Sequence, residues 1–299
     1  MDVVKRLIIT KNRKIELGRL LSTVLLLLFG TSISKPQEIF QSPKLVKVWE
    51  TPQGLNVPES SFYNKKDKTI YVSNICGMHN IKDSIGFISK LTDKGDFIEK
   101  EWISGLNAPK GINVYKGKLY VTDIDEVLEI DLKTKEILNR YRNSKASSLN
   151  DVAIDKTGRV YITDTKSNRI YFVGNDSLEI FIESDDINRT NGILVYKNHL
   201  ICGSKNNLIY INIKTKNIEI IADSTGYIDG IVTIGNKNIV VSDWKGKVQL
   251  VEIDKGVETL LNTTPLNIYA ADLGYIKSQK LLLVPTFSDN KIIAYRINN

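Results

Sequence analysis

The sequence predicts an all-β chain folded as a six-bladed β-propeller, and three observations carry that prediction. One pattern recurs six times: PESSFYNKKDKTIYVSNI (58–75), APKGINVYKGKLYVTDI (108–124), LNDVAIDKTGRVYITDT (149–165), TNGILVYKNHLICGS (190–204), IDGIVTIGNKNIVVSDW (228–244) and AADLGYIKSQKLLLVPTF (270–287). The anchors Asn150, Asn191, Asp229 and Asp272 lie 41, 38 and 43 residues apart, the repeat length of a four-stranded propeller blade. The turns inside the copies (KTGR, YKGK, YKNH and GNKN) are rich in Gly, Asn and Lys, as tight hairpins require.

The chain of 299 residues opens on a segment different in kind. Lys5, Arg6, Lys11, Arg13, Lys14 and Arg19 precede the apolar run Leu20 to Phe29, and Ser32-Ile33-Ser34 then places small residues at a cleavage site. Basic, apolar, small is the order of an export signal. The run is shorter than the ~20 apolar residues a bilayer span needs. Residues 1–34 are therefore expected to be a signal peptide, 35–43 a short leader and 44–299 the propeller, with the protein periplasmic or secreted and not held in a membrane once the signal is cleaved.

Next, KLVKVWET (44–51) alternates like a strand and resembles IEKEWI (98–103), the outer segment of the first unit. The sixth unit ends at Ile297 without an outer strand of its own. The N-terminal strand is expected to complete the sixth blade and so close the ring, which leaves no open seam. Within the units, second strands such as NIVV (238–241) and KLLLV (280–284) are apolar on both faces, because blades stack face to face. Third strands follow at 126–132, 168–174, 207–213, 247–253 and 291–297, and outer strands at positions such as 136–141 and 217–223.

An apolar content of 42% with 25% charged residues describes a globular body. The signal segment contributes +4 of the net +7, and the remaining Lys and Arg are spread over turns and edges. A nucleic-acid partner, which needs a clustered basic patch, is excluded on that ground. Cys76 and Cys202 end the second strands of the first and fourth units. Those units face each other across a six-membered ring, too far apart for a disulfide, so two separate buried thiols are expected. Trp49 and Trp102 read as sheet-packing residues, and Trp244, just after a strand end, can rim the channel. His79 and His199 are the only histidines; His79 lies in a loop insertion and His199 in a hairpin, both away from the axis. No Ser-His-Asp spacing, phosphate loop or CxxC pair is recognisable.

Aligning the units puts Glu59, Lys110, Asn150, Asn191, Asp229 and Asp272 at equivalent positions, where the chain enters each inner strand and faces the channel. Gly111, Gly192 and Gly230 follow three of them and let backbones crowd the axis. Glu59, Asn150, Asn191 and Asp229 form an all-oxygen set of the kind that suits a hard divalent cation, Ca²⁺ first, with Mn²⁺, Mg²⁺ or Zn²⁺ as other occupants.

On these residues the chain resembles the SMP-30/gluconolactonase (regucalcin-like) family over about residues 45–297. PES places Glu59 at the family's first-blade glutamate. Asn150-Asp151 with the later Lys156-Thr157-Gly158 turn, Asn191-Gly192 and Asp229-Gly230 match the subsequent motifs in order. Phe62 follows Ser60-Ser61 where the family has its aromatic, and the arginines that read substrate in some sugar lactonases have no counterpart; Lys110 is the nearest basic residue. The resemblance implies a six-bladed propeller with a central divalent metal held by Glu59, Asn150, Asn191 and Asp229. It further implies hydrolysis of a lactone or related ester with Asp229 as general base, and a small lactone or sugar-derived substrate contacted by Lys110 and Asp272. The alternative is a non-catalytic propeller with a structural metal that binds a ligand or protein partner.

Overall fold

A computed structural model describes residues 38–298 apart from 236–237 and 254; the expected signal segment lies outside the described residues. Six antiparallel sheets make six blades. The first blade runs Pro58–Asn64, Thr69–Asn74, Gly86–Thr92 and Phe97–Leu106, from axis to rim. The second runs Pro109–Tyr115, Lys118–Asp123, Glu126–Asp131 and Ile137–Arg142, and the third Leu149–Ile154, Val160–Asp164, Arg169–Val173 and Leu178–Glu183. The fourth comprises Ile193–Tyr196, His199–Ser204, Asn207–Asn212 and Ile218–Ala222. The fifth is Ile228–Ile234, Asn238–Asp243, Lys247–Glu252 and Gly256–Asn262. Gly274–Ile276, Leu281–Pro285 and Ile292–Ile297 supply three strands of the sixth. Among the described residues the helical segments are short 3₁₀ turns, one of them Phe287–Asp289.

Leu45–Glu50 is the fourth strand of blade six, paired antiparallel with Ile292–Ile297 from Leu45 opposite Ile297 to Glu50 opposite Ile293. The closure extends past the strand: the Thr51 N–H donates to the Ile292 carbonyl at 3.0 Å, and the Asn298 N–H to the Lys44 carbonyl at 2.8 Å. Ahead of it, Phe40–Gln41, inside the expected leader, pairs with Gly256–Asn262 and adds a fifth strand to blade five. The first two described strands are thus stitched to two adjacent blades.

The core is divided in the same sixfold way. An apolar cluster fills each interface between neighbouring blades. Tyr71 and Trp102 of blade one pack edge to face at 5.2 Å in the cluster shared with Leu119, Val121 and Leu128 of blade two. Trp49 is half-buried between blades six and one. Such interfaces explain why second strands are apolar on both faces, since each side chain meets one neighbour or the other. Both cysteines are free. Cys202 is buried in the interface of blades three and four. Cys76 departs from expectation: it is half-exposed in a left-handed turn at φ 65°, because the chain leaves the sheet there into the 77–85 insertion.

Candidate functional site

Five of the six anchors, all but Asp272, occupy one structural position; in blade six the pairing of Gly274 with Leu283 puts Ala271 there and Asp272 one residue further along. Where the inner strands meet the second strands, register breaks between Pro58 and Ser61, Pro109 and Ile112, Leu149 and Val152, and Ile228 and Ile231. Glu59, Lys110, Asn150 and Asp229 each fall inside such a break. A bulge of this kind re-aims a side chain out of the sheet's alternation, here toward the axis.

The second strands hold the bulges in place. Their recurrent Ser/Thr-Asp/Asn endings are structural. The hydroxyls of Ser73, Thr163 and Ser242 accept the N–H groups of Ser60, Asp151 and Gly230 at 3.0, 3.0 and 2.7 Å. The Thr122 and Ser242 hydroxyls also donate to the carbonyls of Asn150 and Ala271 in the next blade. Asp123 accepts the N–H groups of Asn107 and Ala108, and Asp164 those of Ser147 and Ser148. These buried carboxylates fix the loop that delivers each anchor.

Glycines set the distance between blades. A Cβ on Gly111 would lie 2.5 Å from the Asp151 Cα, one on Gly192 2.5 Å from the Asp229 carbonyl oxygen, and one on Gly230 2.1 Å from the Leu273 nitrogen. Only a residue without a side chain lets the inner strands approach this closely.

Five of the six anchors, Glu59, Lys110, Asn150, Asn191 and Asp229, line one cavity of about 540 Å³. The sixth, Asp272, lines a separate cavity of about 280 Å³ with Asp151 and residues further along the inner strands, including Ser61, Ile112 and Ile231. Its carboxylate accepts the Ser60 hydroxyl at 2.5 Å, and its N–H donates to the Glu59 carbonyl at 2.9 Å. Its place one residue past the anchor position takes it out of the cavity where a substrate contact was expected, and those two bonds make it a brace for the Glu59 segment.

The floor of the larger cavity is polar and buried. Glu59, Lys110 and Asp229 are 3, 4 and 1% exposed. The Asn191 amide donates to Asp229 Oδ1 at 2.5 Å, and the Asn150 amide to Thr165 Oγ1 at 3.3 Å. Glu59 Oε2, Asn191 Oδ1 and Asp229 Oδ2 make no hydrogen bond. Buried oxygens are rarely left so. Burial pushes the Glu59 carboxyl well above its usual range, and the neighbouring Asp229 adds to the shift. Asp229 is pushed up to about 8 by burial and by Asp151, and Asp151 itself to about 7 by burial. Burial pushes Lys110 down while Glu59 pulls it back; its ammonium donates to the Ala108 carbonyl at 3.3 Å. Three unpartnered oxygens from two carboxylates and an amide are a donor set that fits a hard divalent cation.

Around the floor stands a wall the anchor alignment did not name. Arg189 and Tyr227 lie two residues before the anchors of blades four and five. Lys166, Trp244, Lys245 and Phe287 lie one or two residues beyond second strands. Trp244 rims the cavity as expected. His79 lines it too, against the expectation for its loop; burial and the charges of Lys110 and Lys166 push its imidazole down. The signal that could have found these residues is the repeat itself, read at those two offsets rather than at the anchors alone.

Fold and site together define a six-bladed propeller with a buried polar centre at the mouth of its channel. Among solved structures, the chain is similar to a streptogramin B lyase, with 15% identity, 89% of this chain and 100% of that one covered and a TM-score of 0.61. It is also similar to a catalytically inactive histidine-to-alanine variant of virginiamycin B lyase from Staphylococcus aureus with quinupristin, at 12% identity, 87% and 99% coverage and a TM-score of 0.59. At these identities the likeness is one of fold. No protein-family model matches the sequence, and no curated protein matches it.

Proposed function

We propose that the protein is an exported, metal-dependent hydrolase of the SMP-30/gluconolactonase type that opens a lactone or related ester. The observation that carries this reading is the trio of unpartnered buried oxygens on the cavity floor, Glu59 Oε2, Asn191 Oδ1 and Asp229 Oδ2, contributed by one repeat position of three blades. That the two neighbours named above are lyases supports a propeller enzyme in the broad sense. Glu59, Asn150, Asn191 and Asp229 would hold the cation, Ca²⁺ in the first instance. When bound, a divalent cation stabilises negative charge developing on a carbonyl oxygen.

The chain's own residues do the rest. Asn191 holds the Asp229 carboxylate in place through Oδ1, and that carboxylate accepts a proton from the attacking water. The water oxygen bonds to the carbonyl carbon, the ring C–O bond breaks, and the proton passes to the departing alkoxide to give a hydroxy acid. Lys110, a buried ammonium with one backbone partner, orients a hydroxyl or carboxylate of the substrate. Asp272 acts from behind by fixing the Glu59 segment.

The test is a screen of aldono- and aliphatic lactones with Ca²⁺, Mn²⁺, Mg²⁺ or Zn²⁺, before and after chelation. Turnover should vanish on chelation and return with metal, and Asp229→Ala should lower kcat by roughly 10²–10⁴-fold, the usual worth of a positioned base. Turnover indifferent to both rules the mechanism out. Thermal stabilisation by metal without turnover of any lactone favours the binding platform instead.

A further inference from the structure

The wall of the larger cavity has two chemically distinct arcs. Blades three, four and five contribute one cation each: Lys166, Arg189 and Lys245. All three are exposed, and none makes an ion pair among the described residues. The Arg189 guanidinium lies 5.0 Å from the Tyr227 ring centroid and the Lys245 ammonium 5.9 Å from it. A ring face takes the place a carboxylate usually holds and leaves the positive charge uncancelled. Blades five and six contribute the second arc. Trp244 and Phe287 meet edge to face at 4.5 Å, and Tyr269 stacks on Trp244 at 4.9 Å, so the Trp244 and Phe287 rings that line the cavity are held rigid.

We propose that the ligand of this cavity is an anion with a flat apolar body, its carboxylate or phosphate held by Lys166, Arg189 and Lys245 and its apolar face laid against Trp244 and Phe287. Unpaired cations around a concave mouth draw in and orient negative ligands. Pre-packed aromatics supply contact area without an ordering cost. A neutral polyol would leave both arcs unused. This inference deepens the hydrolase reading and rests on its choice of cavity, but it is a statement about binding and can be tested without turnover.

The experiment is calorimetric titration of the Ca²⁺-supplemented protein with 1-naphthaleneacetate and with its neutral isostere, 1-naphthaleneacetamide. At low salt the acid should bind about tenfold tighter, the combined worth of a few exposed charge contacts. The difference should shrink as salt is raised. It should disappear in the triple variant Lys166→Gln, Arg189→Gln, Lys245→Gln, whose side chains are exposed and whose melting temperature should not change. Trp244→Ala should weaken both ligands alike. Equal affinity for acid and amide, binding of neither, or a preference that survives the triple variant overturns the proposal. Turnover of neutral lactones without an acid preference counts against this inference and leaves the hydrolase reading standing. An acid preference in a protein that turns over no lactone does the reverse.

Discussion

Asp229 concentrates the conflict at the centre of the molecule. It is a carboxylate with one oxygen held by an amide and the other unpartnered, near two further buried carboxyls, Glu59 and Asp151, and one buried ammonium, Lys110. Without a divalent cation, folding holds Asp229 and Asp151 protonated up to about 8 and about 7. A carboxyl raised in the folded state binds more protons there than in the unfolded chain, so its stabilising contribution is complete below the unfolded value and lost as pH rises through the folded one. The chelated protein should therefore melt progressively lower between pH 5 and about 8. Asp229→Asn should flatten that slope, and Ca²⁺ should restore the loss at the alkaline end by favouring the ionised carboxylate. Thermal melts across pH, with and without chelator, check all three. The position of Asp229 was legible because the repeat aligns it with five other polar residues. The exit of Asp272 from the site was not: Ala271 takes the anchor position of blade six and Asp272 the next one, as Asp151 does in blade three, a one-residue offset that the repeat in the sequence does not reveal.

At the scale of the element, each blade is an antiparallel sheet, and in blades one, two, three and five a bulge interrupts the innermost pairing beside the axis. The hydroxyl and carboxylate that end the second strand stabilise that defect, and a following glycine lets the next blade close on it. Gly230→Ala tests the last of these. A Cβ there meets the Leu273 backbone nitrogen, which cannot step aside as a side chain can. The variant should lose about 1–3 kcal/mol in urea unfolding, the usual cost of overpacking, and should lose metal response as Asp229 shifts with its neighbour. Strand order and most boundaries were readable from alternation and turn chemistry, because alternating patterns and Gly/Asn turns are local signals. The pairing of Phe40–Gln41 with blade five was not readable, since a two-residue strand carries no period.

For the whole molecule, cooperativity rests on six equivalent interfaces and one closure. Deleting residues 44–51 removes the outer strand of blade six and exposes Leu45 and Trp49 contacts shared with blades five and one. At roughly 1 kcal/mol for each lost ladder bond, plus the apolar burial, the loss amounts to several kcal/mol. The melting temperature should fall by about 10 °C or more, with the entire ring melting together rather than one end fraying. An unchanged transition by circular dichroism would sink the closure argument. The cavity wall was the least legible part at this scale: its cations and aromatics come from four blades, and only assembly of the ring brings them around one opening.

The seam has a consequence for how the chain matures. Leu45–Glu50 is made before any blade, yet its partner, Ile292–Ile297, is made last. A polypeptide synthesised from its amino end holds an orphan β-edge in waiting until the third strand of blade six appears. Early blades can stack, but the latch has nothing to grip, and the loop it must close spans almost the entire domain. The finished ring is thus a late, all-at-once event.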